Sequence, residues 1–138
     1  MTATDATDAT GAAVDEAEAL AADALRWLLD SARETGDSAL AWTATPSGDE
    51  TDPTFYFGTA GVIAVLLEAW RHFGDDRYGD AAVRAARSVS AAVEHQENAS
   101  LYFGLTGMAL VLRAVHDELG TPAGAAVRAL DLVPRPVR

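Results

Sequence analysis

The side chains able to do chemistry in this sequence are few. Cysteine is absent, so there is no thiolate nucleophile, no disulfide and no thiolate metal site. Three histidines stand at His72, His95 and His116. None has a second histidine or a cysteine at ligand spacing, so no metal ligand is assigned. A protonated histidine near a helix C-terminus is an ordinary pairing with the helix dipole, and these are read that way. Asp75-Asp76 offers two adjacent carboxylates. At a glycine turn they are read as caps for the following helix rather than as an acid–base pair. Glu68 is a lone acid on an apolar stretch and is expected to pair with an arginine such as Arg71 or Arg113. Trp42 and Trp70 are read as packing anchors rather than groove walls. Asn98-Ala99-Ser100 matches a glycosylation sequon, to which no role is given.

Glycine is the more informative residue. Gly58-x-x-Gly61 and Gly104-x-x-Gly107 each follow an aromatic pair. With no lysine anywhere, neither is a phosphate-binding loop. Gly58 and Gly104 stand where a loop must turn into a helix. Gly61 and Gly107 fall in the first turn, where a missing side chain lets backbone or a neighbouring helix approach. All four are assigned structural roles, and no catalytic or cofactor-binding residue is assigned.

The elements that hold these glycines follow from periodicity. The chain has 138 residues, 49% of them hydrophobic, enough for one domain with a core. No apolar run reaches membrane length. The first 11 residues are low-complexity, and residues 1–13 are expected to be a disordered acidic tail. A first helix is predicted from near Val14 to Gly36, then an irregular loop over residues 37–54 in which residues 40–42 could be extended. A second helix is predicted over 59–73, and its stretch 60–67 is apolar all round, implying burial on nearly every side. A turn at 74–76 precedes an amphipathic third helix over 77–94. A polar loop leads to a fourth helix over 105–119. Gly120-Thr121-Pro122 then breaks the chain, with Pro122 at the first position of a fifth helix. That helix ends near Val133, ahead of Pro134 and Pro136. The helical-hairpin domain is therefore assigned to residues 14–133, with a tail at 134–138. The class is all-α, with no sheet beyond a stray bridge.

Self-similarity is the strongest signal. Tyr56-Phe57-Gly58-Thr59-Ala60-Gly61-Val62 recurs 46 residues later as Tyr102-Phe103-Gly104-Leu105-Thr106-Gly107-Met108. Val65-Leu66 aligns with Val111-Leu112, and Gly74 with Gly120. Each copy reads as a hairpin with a buried inner helix and a more polar outer one. The net charge is −11, and the acids concentrate at the start: 12 acids against 2 bases in residues 1–52, and 9 against 8 in residues 53–138. Such a surface argues against nucleic-acid binding and against anionic membranes.

The two aromatic–Gly-x-x-Gly phrases, with the turn Gly74-Asp75-Asp76-Arg77-Tyr78, resemble the repeated signature and inter-helix turn of lanthionine synthetase C-like proteins, the lanthipeptide cyclase family. The resemblance covers about residues 15–133. It implies an α/α toroid of helical hairpins, of which this chain would form a partial toroid, an incomplete α/α barrel. In active members, the resemblance implies, two cysteines and a histidine of later hairpins bind zinc. The metal activates a peptide thiol for addition to a dehydrated residue, closing a thioether ring. No such ligand is carried over to this sequence, so zinc belongs to the complete family and no cofactor to this chain. The expectation is a truncated or split cyclase, cytoplasmic and inactive alone. Its partners would be a peptide substrate, a complementary C-terminal half or a second copy. The alternatives are a non-enzymatic helical-repeat module that binds peptides or proteins, and a fragment of a six-hairpin glycosidase-like enzyme. The latter needs paired carboxylates, for which Glu68 is the single candidate.

Overall fold

A computed structural model describes residues 3–137. Met1, Thr2 and Arg138, which fall in the expected tails, lie outside the described residues. The chain forms two compact units, divided after Ser31.

The first unit is one helix, α1 (Ala3–Asp30). It begins well before Val14 and takes in residues that the sequence assigns to a disordered tail. Alanine recurs through this stretch and no proline interrupts it, so backbone propensity favours helix even without a large apolar residue. Thr10 Oγ1 also donates to the Ala6 carbonyl at 2.9 Å, one turn back. The helix stops at Asp30 instead of Gly36. The Ser31 backbone N–H and hydroxyl cap the last turn, donating to the Trp27 and Leu28 carbonyls.

The second unit opens with a small antiparallel hairpin, β1 (Arg33–Thr35) and β2 (Ala39–Ala41), in register Arg33↔Ala41 and Thr35↔Ala39. Thr43 and Thr51 add an isolated bridge. The expectation of nothing beyond a stray bridge is thus corrected by one short ladder. Gly36 opens its turn and is not a helix cap. Asp37 and Ser38 take φ of 61° and 60°, left-handed backbone within the three-residue loop 36–38 that joins the strands. Aspartate tolerates that region; serine does so at a cost. Ser38→Gly is therefore expected to raise stability by about 0.5–1 kcal/mol in urea unfolding.

Two helical hairpins follow. The first pairs α2 (Thr59–Phe73) with α3 (Asp76–Ala92), and the second pairs α4 (Leu105–Leu119) with α5 (Gly124–Leu132). The structure is therefore all-α apart from the small sheet. Gly74 and Gly120 end the inner helices at φ 65° and 74°, a conformation that suits glycine. Ile63, Leu66, Val89, Met108 and Val115 are fully buried and form the core between the hairpins. The outer helix α3 ends earlier than expected. Residues 93–95 tighten into a 3-10 turn, closed by the Gln96 N–H donating to the Val93 carbonyl. Helix α5 begins at Gly124, so Pro122 precedes it instead of occupying its first position. His116 Nδ1 bonds the Thr121 carbonyl, which ties residues 120–122 to the end of α4 and delays the new helix.

Asp75 caps α3, accepting from the Arg77 backbone N–H at 2.9 Å, as the sequence suggests. The Arg77 guanidinium also donates to this carboxylate, and with the Arg77 N–H it holds the Asp75 carboxyl below its usual value of 3.8. A depressed folded-state value means stability that is present above pH 3.8 and lost as pH falls through the folded value. Asp75→Asn keeps a competent cap without the titration. Its stability is expected to fall less steeply than the parent's below pH 3.8, as followed by circular dichroism. Among the described residues no helix is long and apolar enough to cross a membrane.

Candidate functional site

Two loops of matching construction launch the inner helices. In the first, Asp52 folds its carboxylate onto the Thr54 backbone N–H (2.8 Å) and hydroxyl (2.6 Å), and Thr54 Oγ1 accepts from the Phe57 N–H at 3.3 Å. In the second, Asn98 Oδ1 accepts from the Ser100 N–H at 2.8 Å, and Ser100 Oγ accepts from the Phe103 N–H at 3.2 Å. These are Asx turns followed by a hydroxyl-backed turn. The carbonyls of Asp52 and Asn98 then accept the first helical N–H groups, Thr59 and Leu105, both at 2.8 Å. Thr59 is buried, and its Oγ1 accepts from the Trp42 backbone N–H at 3.0 Å, fastening the β hairpin's exit to α2.

This construction explains the glycines. A Cβ on Gly58 would lie 1.9 Å from the Asp52 carbonyl oxygen, and one on Gly104 1.9 Å from that of Asn98. On Gly61 it would lie 2.2 Å from the Phe55 carbonyl, and on Gly107 2.0 Å from the Leu101 carbonyl. These are close backbone approaches, with no room for a side chain. The sequence reading missed the polar half of the motif. Asp52-x-Thr54 and Asn98-x-Ser100 recur at the same 46-residue spacing as the glycines, and that recurrence was the available signal. The sequon at Asn98 is thus the second loop's turn, with Asn98 as its hydrogen-bond anchor.

The loops deliver four aromatic rings to one surface. The Tyr56 N–H donates to the Tyr102 carbonyl at 2.9 Å, joining the loops directly. Tyr56 and Phe57 meet edge to face at 4.9 Å between ring centroids. Tyr56 to Phe103 is 5.4 Å and Phe57 to Phe103 is 5.6 Å. Exposure runs from 43% for Phe103 to 65% for Tyr56, high for rings already in mutual contact. A contiguous exposed aromatic surface of this kind is a binding feature more often than a packing one.

The other residues singled out by the sequence do not join it. Glu68 pairs with Arg71 on its own helix and is exposed; Arg71 also binds Glu118 across to α4. That leaves Glu68 an ion-pair partner on the surface, as expected, and the neighbouring carboxylate, Glu118, is engaged by the same guanidinium. The His72 ring lies edge-on to Phe73 at 4.7 Å, His95 is exposed, and His116 holds the turn after α4. Among the described residues no group of three or more metal-ligating side chains comes together. Trp42 is buried at the base of the hairpin, and Trp70 packs beside Gly79, whose Cβ would lie 3.2 Å from the indole. A cleft of about 310 Å³ between the hairpin and the end of α3 includes Asp52, Thr59 and Ser88, whose polar groups already bond within the chain.

The family profile of lanthionine synthetase C-like protein matches residues 49–135, a segment that contains both loops, both inner helices and all four rings. No curated protein and no solved structure matches the chain.

Proposed function

The chain belongs to the lanthionine synthetase C-like family, and from that membership we propose that it takes part in forming thioether rings in peptides, with these two hairpins holding the peptide rather than activating its thiol. What supports the reading is the pair of Gly-x-x-Gly loops in one register inside the matched segment, which set Tyr56, Phe57, Tyr102 and Phe103 side by side in solvent. Rings of this kind offer large contact area to the apolar side chains of an extended peptide at small entropic cost.

Zinc, implied by the family for thiol activation, does not fit this segment. The sequence holds no cysteine, and among the described residues the histidines and carboxylates do not converge. Thiol activation therefore falls to residues outside these hairpins.

The test is a dehydrated, cysteine-bearing peptide offered to the purified chain. Binding is followed by fluorescence anisotropy and ring closure by mass-spectrometric counting of alkylable thiols. Binding without thiol loss is expected, weakened about tenfold by the double substitution Tyr56→Ala, Tyr102→Ala. Thioether formation by the chain alone, or no binding at millimolar peptide, would overturn the proposal. The aromatic surface also favours a second reading, a peptide-binding helical-repeat module without chemistry. Equal affinity for the dehydrated peptide and its unmodified parent would select that reading.

A further inference from the structure

The 46-residue repeat makes the two hairpins comparable position by position, and the comparison exposes an unfinished contact. Helix α4 turns one row toward the first hairpin. Gly107 sits against Phe55, whose Cβ is 3.0 Å from where a Gly107 Cβ would be; Val111 is 2% exposed; Glu118 binds Arg71. The same row on α2 is Gly61, Val62, Val65 and His72, and there Val65 is 48% exposed. In the opposite direction, Arg71 of α2 binds Glu118 of the second hairpin, and Ala60, Ala64 and Leu67 share its helical face, with Ala60 and Leu67 buried. The matching row on α4 is Thr106, Leu110, Arg113 and Asp117, and there Leu110 is 54% exposed. Phe55, half-buried against Gly107, corresponds to Leu101, 41% exposed. The chain therefore carries both halves of its own inter-hairpin contact twice. It uses each half once.

We propose that the open row of α4 (Leu110, with Leu101) docks the open row of α2 (Val65, with Gly61 and Val62) of a second copy of this chain, head to tail, through the contact that already joins the two hairpins within one chain. The occupant follows from continuity with that internal interface. A face shaped like the one α2 turns toward α4 fits a face shaped like the one α4 turns toward α2. The charged residues beside the two open rows pair within their own helices, Glu68 with Arg71 and Arg113 with Asp117, so the apolar side chains are left to make the contact. The main chain agrees too: the Tyr56 N–H meets the Tyr102 carbonyl inside the chain, and the same step would set the Tyr102 N–H against the Tyr56 carbonyl of the next copy. Such a contact is heterologous, so it propagates unless a ring closes.

The test is sedimentation velocity on the full chain and on two surface variants, Val65→Arg and Leu110→Arg, each checked for unchanged helical content by circular dichroism. The parent should grow in mass with concentration into the high micromolar range. Each variant, blocked on one face, should associate about tenfold or more weakly. The decisive sample is an equimolar mixture of the two variants. Each retains the face the other has lost, so the mixture should form a dimer and stop there. A parent that stays monomeric would overturn the proposal. So would single variants that associate like the parent, or a mixture no larger than its components, as a two-fold symmetric contact would give.

Discussion

Gly104→Ala is expected to cost about 3 kcal/mol or more in urea unfolding, a large part of the 5–15 kcal/mol typical of a small domain. The added carbon would stand 1.9 Å from the Asn98 carbonyl oxygen and 2.4 Å from the carbonyl carbon. A flexible side chain could move aside; this is backbone, and it is held. The same oxygen accepts the Leu105 N–H at 2.8 Å, and the Asn98 side chain is committed to Ser100. Relieving the clash means breaking the turn that starts α4, which also displaces Phe103 and the hydrogen bond between Tyr56 and Tyr102. Gly58→Ala should behave alike, because the Asp52 carbonyl is as close and serves Thr59 in the same way. Gly124→Ala is the control. Its Cβ would meet nothing within 4 Å, and in the first turn of α5 alanine should add about 0.4–1 kcal/mol. A loss below about 0.5 kcal/mol at Gly104 would show that the loop yields, and would remove the structural account of the motif.

The contrast between glycines marks what the sequence could convey. Helices α2 and α4 were legible to their ends, because a Gly-x-x-Gly start, an apolar run and a left-handed glycine stop are all written locally. Asp75 as a cap and Glu68 as an ion-pair partner were legible for the same reason. Helix α1 was misjudged at both ends. Its early turns depend on alanine propensity, which a search for apolar periodicity overlooks, and its end is a Ser31 cap rather than Gly36. Pro122 satisfied a local rule for a helix start, and the His116–Thr121 contact overrode it. The aromatic surface was half legible. The pairs Tyr56-Phe57 and Tyr102-Phe103 were evident, but their meeting depends on the main-chain bond between loops 46 residues apart, which no local pattern encodes.

Burial around α2 supplies the second large effect, because the sequence reads residues 60–67 as enclosed on nearly every side and the structure divides them. Leu66 is fully buried, and Val65, its neighbour, is 48% exposed. Leu66→Ala removes apolar atoms from a fully enclosed site and leaves a cavity, so a loss of about 2–5 kcal/mol is expected. Val65→Ala removes methyls that are half in water, and should stay within about 0.5 kcal/mol. The repeat sharpens the comparison. Val111, the counterpart of Val65, is 2% exposed, so Val111→Ala should cost about 1–3 kcal/mol where Val65→Ala costs almost nothing. One residue type, one helix position and one repeat frame then differ in a single respect, whether a hairpin lies against that face. Under conditions where the chain is monomeric, equal losses at Val65 and Val111 would mean that the face of α2 is already covered. As protein concentration rises, Val65→Ala should begin to cost stability if that face takes up a partner, because burial in a contact couples unfolding to dissociation.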